Sequence, residues 1–208
     1  MRARRPSGLC CQRYLGIFRR RSATTSAQSS APCHSATGCY RSGVPIRVEV
    51  ATRDHISQII ASADALVATD AGRYDPDATD LSWAARTGSA YATSLLASDD
   101  SLVLIARDGD AVIGHLVAHM YGPGSVHPIR VAELESIHVY PEYRGRGIGG
   151  QLVSGFLTWA VDSGAQRASV TAYAANGGAQ RFYARQGFAL KSVILDRDDL
   201  QDAEHRRA

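Results

Sequence analysis

Residues 134–150 read LESIHVYPEYRGRGIGG, and no other stretch constrains the chain as much. An alternating apolar run leads directly into Arg144-Gly145-Arg146-Gly147-Ile148-Gly149, and a helical pattern follows. The segment therefore predicts a strand, a glycine turn and a helix in immediate succession. Glycines at such a junction let the backbone approach a ligand, because no Cβ stands in the way. The first helical N–H groups are free and point outward with the positive end of the helix dipole behind them. Two arginines flank them. The segment reads as a cradle for a pyrophosphate.

The spacing excludes two common phosphate loops. A Walker loop places lysine and serine or threonine after its last glycine, and no lysine follows here. A dinucleotide fingerprint needs GxGxxG, and Gly145, Gly147 and Gly149 give GxGxG, one residue early. A second block lies downstream, where residues 167–188 read RASVTAYAANGGAQRFYARQGF. It contains Asn176, Ala179, Phe182, Tyr183, Gly187 and Phe188 in the pattern N-x-x-A-x-x-[apolar]-Y-x-x-x-G-F. Together with Arg144, Gly147 and Gly149 after V-x-P-x-Y (139–143), this block resembles the GNAT N-acetyltransferases over roughly residues 45–196.

The periodicity supports an α/β chain. Residues 45–52 alternate as a strand, and 53–67 carry Ile56, Ile59, Ile60, Ala63, Leu66 and Val67 at helical spacing. Residues 70–80 read as a polar loop, and 81–97 as a second helix. Strands are expected at 102–106, 111–120 and 131–139, the first two joined by a turn at Asp108-Gly109. A helix over 147–163 stops at Gly164, and strand 167–174, helix 178–186 and a final strand 188–195 follow. The resemblance implies the GNAT acyl-CoA N-acyltransferase fold: a mixed central sheet with flanking helices, whose central strands splay around the cofactor.

It also implies acetyl-CoA as the donor, with no metal, and a primary amine as the acceptor, on a small molecule or a peptide or protein. Holding the pyrophosphate falls to Arg144, Gly145, Arg146, Gly147, Ile148 and Gly149. Backbone amides near Ile137 and Val139 are implied as the groups that polarise the thioester carbonyl, and Asn176 as a contact to the cofactor arm. Tyr183 is the candidate general acid, since a phenol stays protonated at neutral pH and can donate to a departing thiolate. Glu133 and Glu135 lie two apart on a strand and so share a face; either is a candidate base. Close carboxylates also raise one another's pKa, which suits a base. His119 and His138 are alternatives to them. A non-catalytic acyl-CoA-binding regulatory module is the alternative to the enzyme. Asp70, Asp75, Asp77 and Asp80 read as a solvated loop or as a steering cluster for a cationic amine.

Charge divides the chain near Val44. Residues 1–44 hold eight arginines, no acid and all four cysteines (Cys10, Cys11, Cys33, Cys39), so the overall +3 hides −5 on residues 45–208. The acidic domain favours a cationic acceptor, such as a polyamine or aminoglycoside, over nucleic acid. The basic segment has the composition of a disordered tail or an organelle transit peptide. Lys191 is the only lysine, a bias that also suits an over-extended reading frame with the start at Val44. The expected organisation is this extension, an acetyltransferase domain over 45–208 and a short polar tail after about 197. A cytoplasmic, membrane-free protein is expected, organelle-targeted if residues 1–44 are a transit peptide, and a homodimer is a further expectation.

Overall fold

The computed structural model describes residues 45–126 and 128–196. The basic extension and the tail after 197 lie outside them. Five strands form one sheet in sequence order: β1 (Arg47–Val50), β2 (Ser101–Asp108), β3 (Ala111–Tyr121), β4 (Val131–Val139) and β5 (Arg167–Val170). The first four are antiparallel, and β5 runs parallel to β4. A parallel pair needs a crossover, supplied here by α4 (Ile148–Asp162).

Helices cover both faces. On one side α4 lays Leu152, Val153 and Phe156, all fully buried, against Leu104, Leu116 and Leu134. On the other, α1 (Ile56–Thr69) and α3 (Ser89–Ala97) pack Ile59 and Leu95 on Val103, Ile105 and Val117. A short helical turn, α2 (Ala71–Tyr74), interrupts the stretch expected to be a loop. The helix expected over 81–97 is in two parts. A π-helical turn (Ala84–Gly88) precedes α3. The wider turn brings Trp83 and Tyr91, eight residues apart, onto one side, where their rings meet edge to face at 5.8 Å. The last helix, α5 (Gly177–Arg185), packs Phe182 on α4 at Gly149, where an added Cβ would stand 3.2 Å from the ring.

Two strand expectations need correction. β5 ends at Val170 rather than 174, and the strand expected over 188–195 does not form. Its apolar residues are exposed, Leu190 at 88% and Leu195 at 90%. Strand-forming residues make a strand only where a neighbouring edge accepts their hydrogen bonds, and among the described residues this segment has none.

Candidate active site

The site begins where β4 leaves β5. The two pair only from Val131/Arg167 to Leu134/Val170, while β4 continues to Val139. Beyond Leu134 one edge of β4 is therefore open. The direction of its amides follows from one bond: Tyr140 donates its N–H to the Ile113 carbonyl on β3, 3.1 Å away. Strand amides alternate, so those of His138 and Ser136 also face β3, and those of Ile137 and Val139 face the gap. Arg144 Nε reaches into the same side and donates to the Val139 carbonyl at 2.8 Å.

A bulge lies at the point of parting. Val117 pairs with Ser136, yet its neighbour Ala118 pairs with Leu134, leaving Glu135 as the extra residue. A bulge of this kind re-aims side chains. It puts Glu135 and Ser136 together on the α1/α3 face. There the Tyr91 hydroxyl donates to Glu135 Oε1, and His119 Nε2 meets Glu135 Oε2. Ser101 Oγ stands 3.1 Å from His119 Nδ1. Glu133 is paired directly with His119 in the register, so it shares that face, as the two-residue spacing anticipated. Burial, then the bond to Glu135, pushes the Tyr91 phenol far up, so Tyr91 acts there as a donor and not as an anion.

Below Val139, a single 3₁₀ turn (Pro141–Tyr143) turns the chain into the glycine loop. Gly145 (φ 76°) and Gly147 (φ 78°) are both left-handed, a conformation costly for any residue with a Cβ. Nothing lies within 4 Å of where their Cβ atoms would stand, so the loop is open to a ligand. Gly147 caps α4 with no side-chain hydrogen bond to the first amides. Ile148, next in line, turns its side chain into the core and leaves its backbone to the loop. Arg146 donates to the Glu142 carbonyl at 3.2 Å and stacks over Tyr143, 5.3 Å from the ring centre.

Tyr183 sits on α5, 9% exposed, between the rings of Phe182 (5.3 Å) and Phe188 (5.9 Å). Burial, with the Asp70 carboxylate adding to it, pushes its phenol up to about 12. Asn176 caps α5, accepting from the Ala179 amide at 3.0 Å, and donates to Asp70 Oδ1 at 2.8 Å. One lone pair and one N–H of the amide remain for other partners. The acidic cluster divides: Asp70 is tied to Asn176, Asp80 pairs with Arg86, and Asp75 and Asp77 are exposed.

Several residues of the site have no motif. Trp83 and Tyr91 belong to a helix that reads as ordinary, and a Glu-Ser pair does not announce a bulge. A third group is buried behind β4. Ser62 Oγ lies 2.7 Å from His115 Nδ1 and 3.0 Å from His138 Nδ1, and His115 Nε2 is 3.3 Å from Ser136 Oγ. Burial, then the neighbouring His138, drives His115 down to about 3. Burial and then Arg144 take His138 down to about 4, against an opposing pull from Glu142. Both rings are neutral near pH 7, and one serine hydroxyl can donate to one of them while accepting from the other. His138 thus belongs to this network, with its Nδ1 directed at Ser62.

Residues 69–188 match the model of the acetyltransferase (GNAT) family. The chain belongs to that family. An uncharacterized N-acetyltransferase of Archaeoglobus fulgidus is 33% identical over 97 residues, covering 46% of this chain and 65% of that protein. One from Methanocaldococcus jannaschii is 28% identical over 104 residues, covering 50% and 46%. The match thus spans between about half and two thirds of the curated relatives' length. In structure, the aminoglycoside N-acetyltransferase AAC(6')-Iy in complex with CoA superposes with a TM-score of 0.59 at 21% identity, over 76% of this chain and 97% of that one. That likeness is one of fold. It accords with the mixed five-stranded sheet and flanking helices of this GNAT domain. Among the described residues no helix is long and apolar enough to cross a membrane, and no cluster of His, Cys, Asp or Glu comes together to hold a metal ion.

Proposed function

We propose that this GNAT protein moves an acetyl group from acetyl-CoA to a primary amine. The observation that carries the reading is the opening between β4 and β5. It has the Ile137 and Val139 amides along one edge, the glycine loop and α4 N-terminus at one end, and Glu135 beside the point of parting. The residues fit acetyl-CoA. The amides of residues 145–149 suit the pyrophosphate, with Arg144 and Arg146 adding charge around it. Asn176 has hydrogen-bonding capacity left for the pantetheine arm.

When bound, acetyl-CoA supplies an acyl carbon with a thiolate leaving group. The chain's residues manage the protons and charges around it. Glu135, directly or through water, takes one proton of the acceptor's ammonium, whose freed lone pair forms the new C–N bond, and the second N–H proton passes to solvent as the tetrahedral adduct collapses. The Ile137 or Val139 N–H receives the carbonyl oxygen as negative charge develops on it. Tyr183 gives its proton to the sulfur as the C–S bond breaks, and recovers one from solvent. Tyr91 and His119 hold the Glu135 carboxylate from two sides, while Glu133 adds negative charge to the same face and stands as the second candidate base.

Incubation with acetyl-CoA and a panel of small amines and short peptides, reading free thiol, is the test. Amine-dependent thiol release supports the reading. Tight acetyl-CoA binding with no release for any amine favours the regulatory module instead.

A further inference from the structure

Behind Glu135 the α1/α3 face is not fully packed. A cavity of about 300 Å³ lies between α1, the π-helical turn, α3 and the sheet. Its walls are mostly apolar, with Ile59, Ile60, Leu66 and Val67 from α1, Trp83 before the turn and Val117 from β3, and the hydroxyl-bearing residues Thr87, Tyr91 and Ser136 complete them. The sole ionisable carboxylate lining it belongs to Glu135. The volume suits one phenyl or branched alkyl group with its linker, at the lower end of the size of ligand pockets.

We infer that this cavity is the acceptor subsite and that it selects primary amines carried on a single apolar arm, an arylalkylamine or the α-amine of an apolar N-terminal residue. The inference rests on the acetyl-transfer reading and names its substrate class. The arm fills the chamber and the ammonium meets Glu135. Glu135 is two residues from Ile137 on the same strand, so the amine is held beside the edge that faces the donor. The acidic balance of the domain favours a polycation by charge alone, but a polyamine or aminoglycoside would bury its further charges against Ile59, Leu66 and Val67 without partners. In the reaction the ammonium gives one proton to Glu135 and a second to solvent, the amide C–N bond forms as the thioester C–S bond breaks, and the thiol leaves with the Tyr183 proton.

The experiment compares 2-phenylethylamine, isopentylamine and the dipeptide Leu-Gly with ethanolamine and spermidine at fixed acetyl-CoA. kcat/KM is expected to be at least tenfold higher for the apolar set, since each buried methylene is worth about fourfold. Ala63→Leu, which fills the chamber, and Thr87→Phe, at an exposed position on its rim, should each raise the apolar amine's KM about tenfold and leave that of acetyl-CoA unchanged. The ratio of kcat/KM for Leu-Gly to that for isopentylamine separates a peptide acceptor from a free amine. Tm shifts with each amine and no donor provide a readout independent of turnover. Equal or better kcat/KM for the polar amines overturns the inference and leaves acetyl transfer standing. Apolar amines that raise Tm without any thiol release keep the pocket and sink the catalytic reading, and silence in both assays overturns both.

Discussion

At the scale of single residues, Tyr183 and Glu135 are held in opposite ways. Tyr183 is packed among aromatic rings on a helix capped by Asn176, and its elevated pKa keeps it a proton donor across the physiological range. Tyr183→Phe keeps the ring and removes the proton. It is expected to lower kcat about 100-fold, within the range for a lost general acid, with little change in acetyl-CoA affinity measured by calorimetry. The high-pH limb of the wild-type kcat profile should fall toward pH 12, where the phenol ionises, and should be absent from the variant. Glu135 is instead oriented by two side chains that no motif marks, Tyr91 and His119. Glu135→Gln is expected to cost about 100-fold in kcat/KM at pH 7 and much less above the amine's own pKa, where the acceptor no longer needs a base. A loss that stays constant from pH 7 to 10.5 would remove Glu135 from proton abstraction.

At the scale of elements, the strand–loop–helix unit could be read from residues 134–150 because its requirements are local. Left-handed turns need glycine, and Gly145 and Gly147 adopt them. Gly147→Val puts a branched Cβ into a left-handed position at the head of α4. It should weaken acetyl-CoA binding at least tenfold while leaving the acceptor's KM in place, as measured by initial rates with each substrate varied. The elements that could not be read depend on partners distant in sequence. The bulge at Glu135 exists through the register of β4 on β3, and nothing in LESI alone announces it. The π-helical turn leaves the apolar spacing of 81–97 looking like one helix. Gly88 shows what holds it, since a Cβ there would stand 3.0 Å from an Ile60 methyl. Gly88→Val should therefore pry this turn from α1 and raise the acceptor KM before it affects acetyl-CoA binding. The strand expected over 188–195 failed for the same reason: its residues include good strand formers, but pairing is a property of two segments.

At the scale of the whole domain, the two faces of the sheet carry different chemistry. The α4 face is apolar throughout, whereas the α1/α3 face buries Ser62, His115 and His138 beside its hydrophobic cluster. Both histidines have folded pKa values below the 6.5 of a free imidazole, so the unfolded chain takes up protons first as pH falls. Their influence on stability is nil above about pH 6.5. It becomes destabilising below that and continues to grow until the folded values near 4 and 3 are reached. Each histidine still neutral costs up to about 1.4 kcal/mol per pH unit in that window. Tm should accordingly drop between pH 6.5 and 4.5 more steeply than in a His115→Gln variant, measured by calorimetry in matched buffers. A parallel decline in both proteins would show that carboxylates, not this network, set the acid limit.

The bulge in β4 has an evolutionary consequence. In the acetyl-transfer reading proposed above, the strand downstream of it would meet the donor through main-chain amides, which every amino acid supplies alike. At the bulge it would meet the acceptor through the side chain of Glu135, which substitution can rewrite. One segment thus carries an invariant channel and a mutable one. On that reading, drift at 135 would change what is acetylated without disturbing what supplies the acetyl group.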